Sequence, residues 1–180
     1  MSSYLFTSLR LGFRAWKSSD LIPFSEMNAN EQVMEHFPRL LTINESQAFI
    51  DRMDAMLEKS KFCYFAVDEL ESGQFIGFIG LSERVIPQFK TPQIDIGWRL
   101  APIYWNKGYA TEGANTVIKY AQNKLGINTL ISISTAQNIA SIKVMEKIGM
   151  KFYQYFNFEP LKDYPELKRC ALYIVDLEKR

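Results

Sequence analysis

Between residues 94 and 100 apolar side chains alternate with small or polar ones. Ile94, Ile96, Trp98 and Leu100 take one set of positions, and Asp95, Gly97 and Arg99 the other. A period of two is the signature of a strand. Pro102 ends it, because proline has no N–H to give a ladder. From Ala110 the period lengthens, and Ala110, Ala114, Val117, Ile118, Ala121 and Leu125 fall on one side of a helix. Gly126 is placed to cap that helix. Glu112 in its first turn and Lys119 and Lys124 towards its end suit the helix dipole.

The rest of the chain reads in the same way. Residues 9–16 alternate as a first strand. Ser18, Ser19 and Asp20 are helix-start residues, Pro23 fits a first turn, and Leu21, Phe24 and Met27 share one face. Asn30 caps a second short helix that ends near Pro38, and Asn44 with Gln47 forms a capping box for a third. On that third helix Ala48 or Phe49, with Ile50, Met53 and Leu57, lines one side as far as about Lys59. Residues 62–68 and 74–82 form a hairpin turned by Glu71, Ser72 and Gly73, and Gly77 and Gly80 bend its second strand. Residues 85–92 are a loop. Residues 130–134 form a strand that follows a strand–helix unit, so it lies parallel to residues 94–100. A helix from Asn138 to Gly149 and strands at 151–158 and 169–177 complete the chain.

Composition narrows the class. The 180 residues are 47% apolar and 14% aromatic, which fits one globular domain spanning 1–180. A formal net charge of +1 argues against a strong nucleic-acid binder. No run approaches membrane-spanning length, and the first residues lack the basic and apolar regions of a signal peptide. Cys63 and Cys170 lie far apart with no metal-ligand spacing. They read as reduced strand residues, and a cytoplasmic protein without a metal follows as the default.

Chemistry concentrates in the loop Trp105-Asn106-Lys107-Gly108-Tyr109-Ala110. A short loop entering a helix leaves unpaired N–H groups at the positive end of the dipole, a site for phosphate or pyrophosphate. Gly108 lets a ligand approach the backbone. The same residues also suit an ordinary strand–loop–helix connection.

A second stretch, N-I-A-S-I-K-V-M-E-K-I-G-M-K-F from Asn138, changes that balance. With W-N-K-G-Y-A-T-E upstream it resembles the GNAT superfamily of acyl-CoA-dependent N-acyltransferases. Trp105 stands where the general motif has Gln or Arg, but Y-W-x-K-G-Y-A-T-E resembles the RimJ/RimL-type branch of protein N-terminal acetyltransferases. L-R-L-G-F-R-A-W, V-M-E-H-F-P and A-F-I-D-R-M also resemble that branch, so the likeness covers nearly the whole chain. It implies an α/β fold of mixed α+β type. The sheet would be twisted, mostly antiparallel, of six to seven strands with one parallel pair at the cofactor site, flanked by about four helices. It implies acetyl-CoA as cosubstrate and an amine as acceptor, in a monomer or homodimer. The backbone of Trp98, Arg99 and Leu100 would pair with the pantetheine arm as an added strand. Trp105 belongs to the same loop, and the amides of Asn106, Lys107, Gly108, Tyr109, Ala110 and Thr111 would hold the pyrophosphate. The side chain of Asn138 would bond the pantetheine. Lys143 and Lys147, a like-charged pair one turn apart, would face the nucleotide phosphates or else be solvated.

Acyl transfer needs a neutral amine and a protonated leaving thiolate. A lysine of pKa about 10.4 is about one part in a thousand neutral near pH 7.4, whereas an α-amine of pKa about 7.8 is about a quarter to a third neutral. The gap of about 2.6 units is worth about 3.5 kcal/mol, so an α-amine asks less of a base. The resemblance places Asp95 at the base position, working through water, or as a strand carboxylate that holds a neighbouring loop. The usual tyrosine acid is replaced by Met145, which has no proton to give. Ser141, beside Asn138 in the catalytic set, either bonds the leaving thiolate or caps the helix backbone. Tyr173 and Tyr104 are the remaining hydroxyls. Met27 and Phe37 are pocket candidates by resemblance, and His36 is the single histidine. The loop acids Glu159, Asp163 and Glu166 either attract a cationic amine or are solvated. Two other acceptors or roles stand beside a protein N-terminus: a small amine (polyamine, amino acid or aminoglycoside), and a non-catalytic acyl-CoA-binding domain.

Overall fold

The structure, a computed structural model, describes residues 4–178. Both ends of the expected 1–180 domain, and the first three of the residues read for a signal peptide, lie outside that range. Eight strands form one sheet: β1 (Phe6–Thr7), β2 (Leu11–Arg14), β3 (Tyr64–Glu69), β4 (Phe75–Arg84), β5 (Gln93–Leu100), β6 (Thr129–Thr135), β7 (Lys151–Asn157) and β8 (Arg169–Asp176). Their order is β1-β2-β3-β4-β5-β6-β8-β7, and β5–β6 is its parallel pair. Five α-helices accompany it: α1 (Leu21–Asn28), α2 (Glu31–Met34), α3 (Ile43–Ser60), α4 (Tyr109–Leu125) and α5 (Ile139–Lys147).

Aromatic side chains pack both faces. Trp16, Phe24, Phe49, Phe75 and Phe78 fill the side covered by α1 and α3. On the other side Phe6, Phe13 and Phe65 meet Tyr120 of α4. Gly113 lets α4 come close, since a Cβ there would sit 2.2 Å from Ile79 Cδ1. Burial of these rings supplies most of the driving force for the layers.

Three local expectations are corrected. Residues 9–16 do not form one strand. The Ser8 N–H donates to the Leu11 carbonyl at 2.8 Å, so the chain turns there and Leu9 stands 89% exposed. The resulting β1–β2 hairpin is one reason the sheet has eight strands. The cap of α3 is Thr42, not Asn44: Thr42 Oγ1 accepts from the Glu45 N–H, and Glu45 returns the bond to the Thr42 N–H at 2.8 Å. Arg39 pairs with the Glu45 carboxylate and holds it in that position. α2 stops at Met34, a turn short of Pro38, because Phe37 precedes a proline and is steered out of the helical region.

One buried ionic cluster joins the layers. Arg14 of β2 donates to Asp68 of β3 at 2.5 and 2.7 Å, and to Asp20, just before α1, at 2.6 and 2.9 Å. Burial opposes the guanidinium charge, but the two carboxylates raise its pKa above the ordinary arginine value. Removing Arg14 leaves two buried carboxylates facing each other. Arg14→Met is expected to lower unfolding free energy by about 3–5 kcal/mol, read from urea denaturation, and Asp68→Asn by less.

Candidate active site

β5 and β6 share one bridge, Asp95 with Ile131. The Ser132 hydroxyl donates to the Ile96 carbonyl at 2.9 Å, and beyond it the two strands part. Trp98, Arg99 and Leu100 stay paired to β4 and face the opening with their other edge. The Leu100 carbonyl accepts from the Trp105 indole N–H at 2.6 Å. Trp105 therefore ties the following loop back to the strand end, and that is what the structure shows at the position where the general motif has Gln or Arg.

The loop delivers a row of free amides. Asn106 (φ 58°) and Gly108 (φ 82°) are both left-handed, which turns successive N–H groups to one side. The first helical bond runs from the Glu112 N–H to the Gly108 carbonyl. Among the described residues the N–H groups of Asn106, Lys107, Gly108, Tyr109, Ala110 and Thr111 take no partner in the protein. They stand at the N-terminus of the 17-residue α4, where the dipole favours an anion. The loop is held in place from outside. Glu112 accepts from Ser8 Oγ at 2.6 Å and from the Arg10 backbone and Nε at 2.8 and 2.7 Å. Tyr109, buried, donates its hydroxyl to Glu69.

Across the opening, Asn138 caps α5. Its Oδ1 accepts from the Ser141 N–H at 3.0 Å, leaving the Asn138 amide N–H groups without a partner in the protein. Ser141 is half-buried at the first turn, and Lys143 and Lys147 are exposed on the same helix. Met145 is fully buried and belongs to the core. Tyr173 donates to Glu146 at 3.2 Å, and burial, then that carboxylate, raises its pKa. The Tyr104 ring lies tilted beside that of Tyr109, with the Lys107 ammonium 5.4 Å from the Tyr104 ring centre.

The face of β5 under α1 and α3 carries Asp95, Gly97 and Arg99. Asp95 is 3% exposed. Its Oδ2 accepts from the Tyr64 hydroxyl at 2.5 Å and lies 3.3 Å from Arg84 Nε, and the Ile133 N–H also donates to it. Burial pushes the Asp95 carboxyl above the usual carboxylate range against the pull of Arg84 and Tyr64. Burial, then Asp95, raises the Tyr64 phenol, whose oxygen also accepts from Arg84 Nη2 at 3.3 Å. Met27 is core, His36 lies 4.0 Å from Glu35, and the Phe37 ring stacks on Arg99.

Tyr64 and Arg84 are site residues the linear sequence did not reveal. Tyr64 pairs with Gly80, and Gly80 with Gly97, so two strands in succession offer no side chain and the ring lies across them to reach Asp95. A Cβ on Gly97 would stand 3.1 Å from the Tyr64 ring. The glycines were legible, but their register across three strands was not.

Residues 10–151 match the acetyltransferase (GNAT) domain family, and the chain belongs to that family. It is an acyltransferase of a family whose donor is acetyl-CoA. A curated relative, the uncharacterized N-acetyltransferase YnaD of Bacillus subtilis, is 29% identical over 151 residues, 83% of this chain and 84% of its own. A GNAT-family acetyltransferase structure from Bacillus anthracis superposes with a TM-score of 0.79 at 25% identity, covering 96% of this chain and 98% of that one. RimL, a ribosomal L7/L12 alpha-N-protein acetyltransferase in complex with coenzyme A, gives 0.78 at 11% identity over 99% of this chain and 100% of that one. Spermidine N-acetyltransferase from Vibrio cholerae, in complex with CoA and spermine, gives 0.73 at 16% over 94% and 97%. Among the described residues no cluster of three or more His, Cys, Asp or Glu is placed to hold a metal ion, and no helix is long and apolar enough to cross a membrane.

The free amides fit a pyrophosphate by donor chemistry and by dipole. Gly108→Val forces a β-branched residue into the left-handed region, at about 1–2 kcal/mol or more. Calorimetric titration should show acetyl-CoA binding about tenfold or more weaker in this variant, because the turn that aligns the amides is lost.

Proposed function

We propose that the protein is an N-acetyltransferase of the RimJ/RimL type, a single domain over 1–180. In this reading it moves an acetyl group from acetyl-CoA to the N-terminal α-amine of a protein. The carrying observation is the state of Asp95. It is the carboxylate on the acceptor face of β5, and it already serves Tyr64 and Arg84. A polyamine needs free acids to hold its cations. Glu159 pairs with Lys162 at 3.2 Å, and Glu166 lines, beside Arg169, a hollow of about 300 Å³. The cations beside these two acids offset the charge a polyamine would need. Cys63 and Cys170 are buried free thiols, and the cytoplasm is the reducing compartment this reading assigns to them.

The roles divide as follows. Asn106, Lys107, Gly108, Tyr109, Ala110 and Thr111 bind the pyrophosphate through their amides, with Lys143 and Lys147 facing the nucleotide phosphates. Trp98, Arg99 and Leu100 line the pantetheine with their free strand edge, and the Asn138 amide donates to it. Ser141 offers its hydroxyl to the departing sulfur. Asp95 draws the amine proton through water and the Tyr64 hydroxyl, which already donates to it. Such a base is buried and partly neutralised by Arg84, so it suits an α-amine better than a lysine.

Acetyl-CoA turnover, followed as free thiol, tests this on peptides with free and blocked N-termini and on spermidine. Turnover confined to free peptides is expected, and turnover on spermidine alone would overturn the reading. Asp95→Asn should lower kcat about 10²–10⁴-fold. The pH profile adds a sign. Protonated Asp95 cannot take a proton, and its pKa is raised. Activity should therefore fall as pH drops through that raised value. Asp95→Asn should lose that carboxylate limb and keep the one set by the amine.

A further inference from the structure

Arg99 projects from the acceptor face of β5 with a charge that nothing in its surroundings cancels. Its Nη1 donates to Asn28 Oδ1 at 2.7 Å, while its Nε is buried and takes no hydrogen-bond partner. No carboxylate of the described residues forms an ion pair with it. The guanidinium lies against two rings, 4.1 Å from the centroid of Phe37 and 5.5 Å from that of Phe78. Ring faces stabilise a cation from above and below, but they leave the hydrogen-bonding rim of the fork unsatisfied. Burial lowers the Arg99 pKa to about 10, still a charged group near neutrality. Arg99 is half-buried overall, and a cation partly withdrawn from water without a counter-charge is costly.

Within the site the counter-charge is missing. Asp95, the carboxylate on this face of β5, is held by Arg84, and no ion pair joins it to Arg99. The fork is also fixed in orientation. Asn28 is fully buried and donates to Ser46 Oγ at 3.0 Å, and Ser46 Oγ donates to the Thr42 carbonyl at 3.0 Å. The first turn of α3 thus fixes the Asn28 amide, and with it the orientation of the fork. Nε is closed off, but Nη2 takes no partner in the protein and Nη1 keeps a second N–H, so the end of the fork can give a carboxylate two N–H bonds. Phe37, 39% exposed on the segment between α2 and α3, forms the outer wall.

We propose that Arg99 receives a carboxylate of the amine acceptor. The acceptor is then an amine with an acid close by: a peptide with an acidic side chain in its first residues, or an α-amino acid presenting its own carboxylate. A polycation is excluded by the same charge. This deepens the acceptor assignment made above and rests on it.

The experiment compares acetyl-CoA turnover on matched pairs. One pair is a hexapeptide with Asp or Asn at its second position, and the other is free alanine against alaninamide. The acid member of one pair should be preferred by about tenfold or more in kcat/KM, and which pair responds separates a side-chain acid from an α-carboxylate. Arg99→Gln should bring that ratio to about one. Asn28→Asp should do the same with a near-isosteric change, because it places a carboxylate of the protein on the guanidinium, and an unchanged melting temperature would show that it folds. No preference in either pair, or a preference that survives both variants, overturns the inference. Should no acceptor turn over, the proposed function falls, and the inference is judged by calorimetry with coenzyme A present. Tighter binding of the N-acetylated acidic peptide than of its amide, lost in Arg99→Gln, would sustain it. Equal binding would overturn it.

Discussion

Backbone hydrogen bonding is the constraint on which this structure turns. A parallel pair that holds together at Asp95 and Ile131 and then separates must leave main-chain groups without a partner. Here they are gathered in one place. The outer edge of β5 and the row of amides from Asn106 to Thr111 border the same opening, and the N-terminus of α4 adds its dipole. The chain keeps these groups free by fastening everything around them. Trp105 is tied to Leu100, Glu112 to the β1–β2 turn and Tyr109 to Glu69. The opening is rigid because its supports lie outside it.

The face of β5 that the proposed function gives to the acceptor is built from different material. Where the row of amides presents main-chain groups, this face presents Tyr64, Arg84, Asp95, Arg99 and Asn28, brought together from β3, β4, β5 and α1. Main-chain recognition tolerates many side chains, so donor binding can persist while side chains change. Side-chain recognition can be retuned one residue at a time. One fold can thereby keep a single donor and take different amines, as the RimL and spermidine enzymes of similar fold illustrate.

How much was legible in the sequence follows from how far apart the cooperating residues lie. The alternation at 94–100, the helix that follows and the cap at Asn138 are local, and they appear with nearly the expected bounds. The free amides also follow from a contiguous loop. Capping competition was harder to read, because Asn44 and Thr42 are both good caps and the choice depends on Arg39 reaching Glu45. Least legible were contacts between distant strands. Tyr64 meets Asp95 because Gly80 and Gly97 fall in line with it. Asn28 meets Arg99 because α1 ends over β5. No periodicity encodes such meetings, since they depend on sheet register and helix placement together.

The Trp105 tether also gives the molecule a built-in optical reporter. Of the three tryptophans, Trp16 is buried with its indole bonded to the Tyr64 carbonyl, and Trp98 is half-buried along the strand. Trp105 is 40% exposed at the lip of the opening, with its N–H held by Leu100. The long-wavelength part of the intrinsic emission therefore belongs mainly to a ring beside the row of free amides. A ligand bound at those amides would change the water around that ring, so the protein's own fluorescence can follow occupancy in real time without any attached dye.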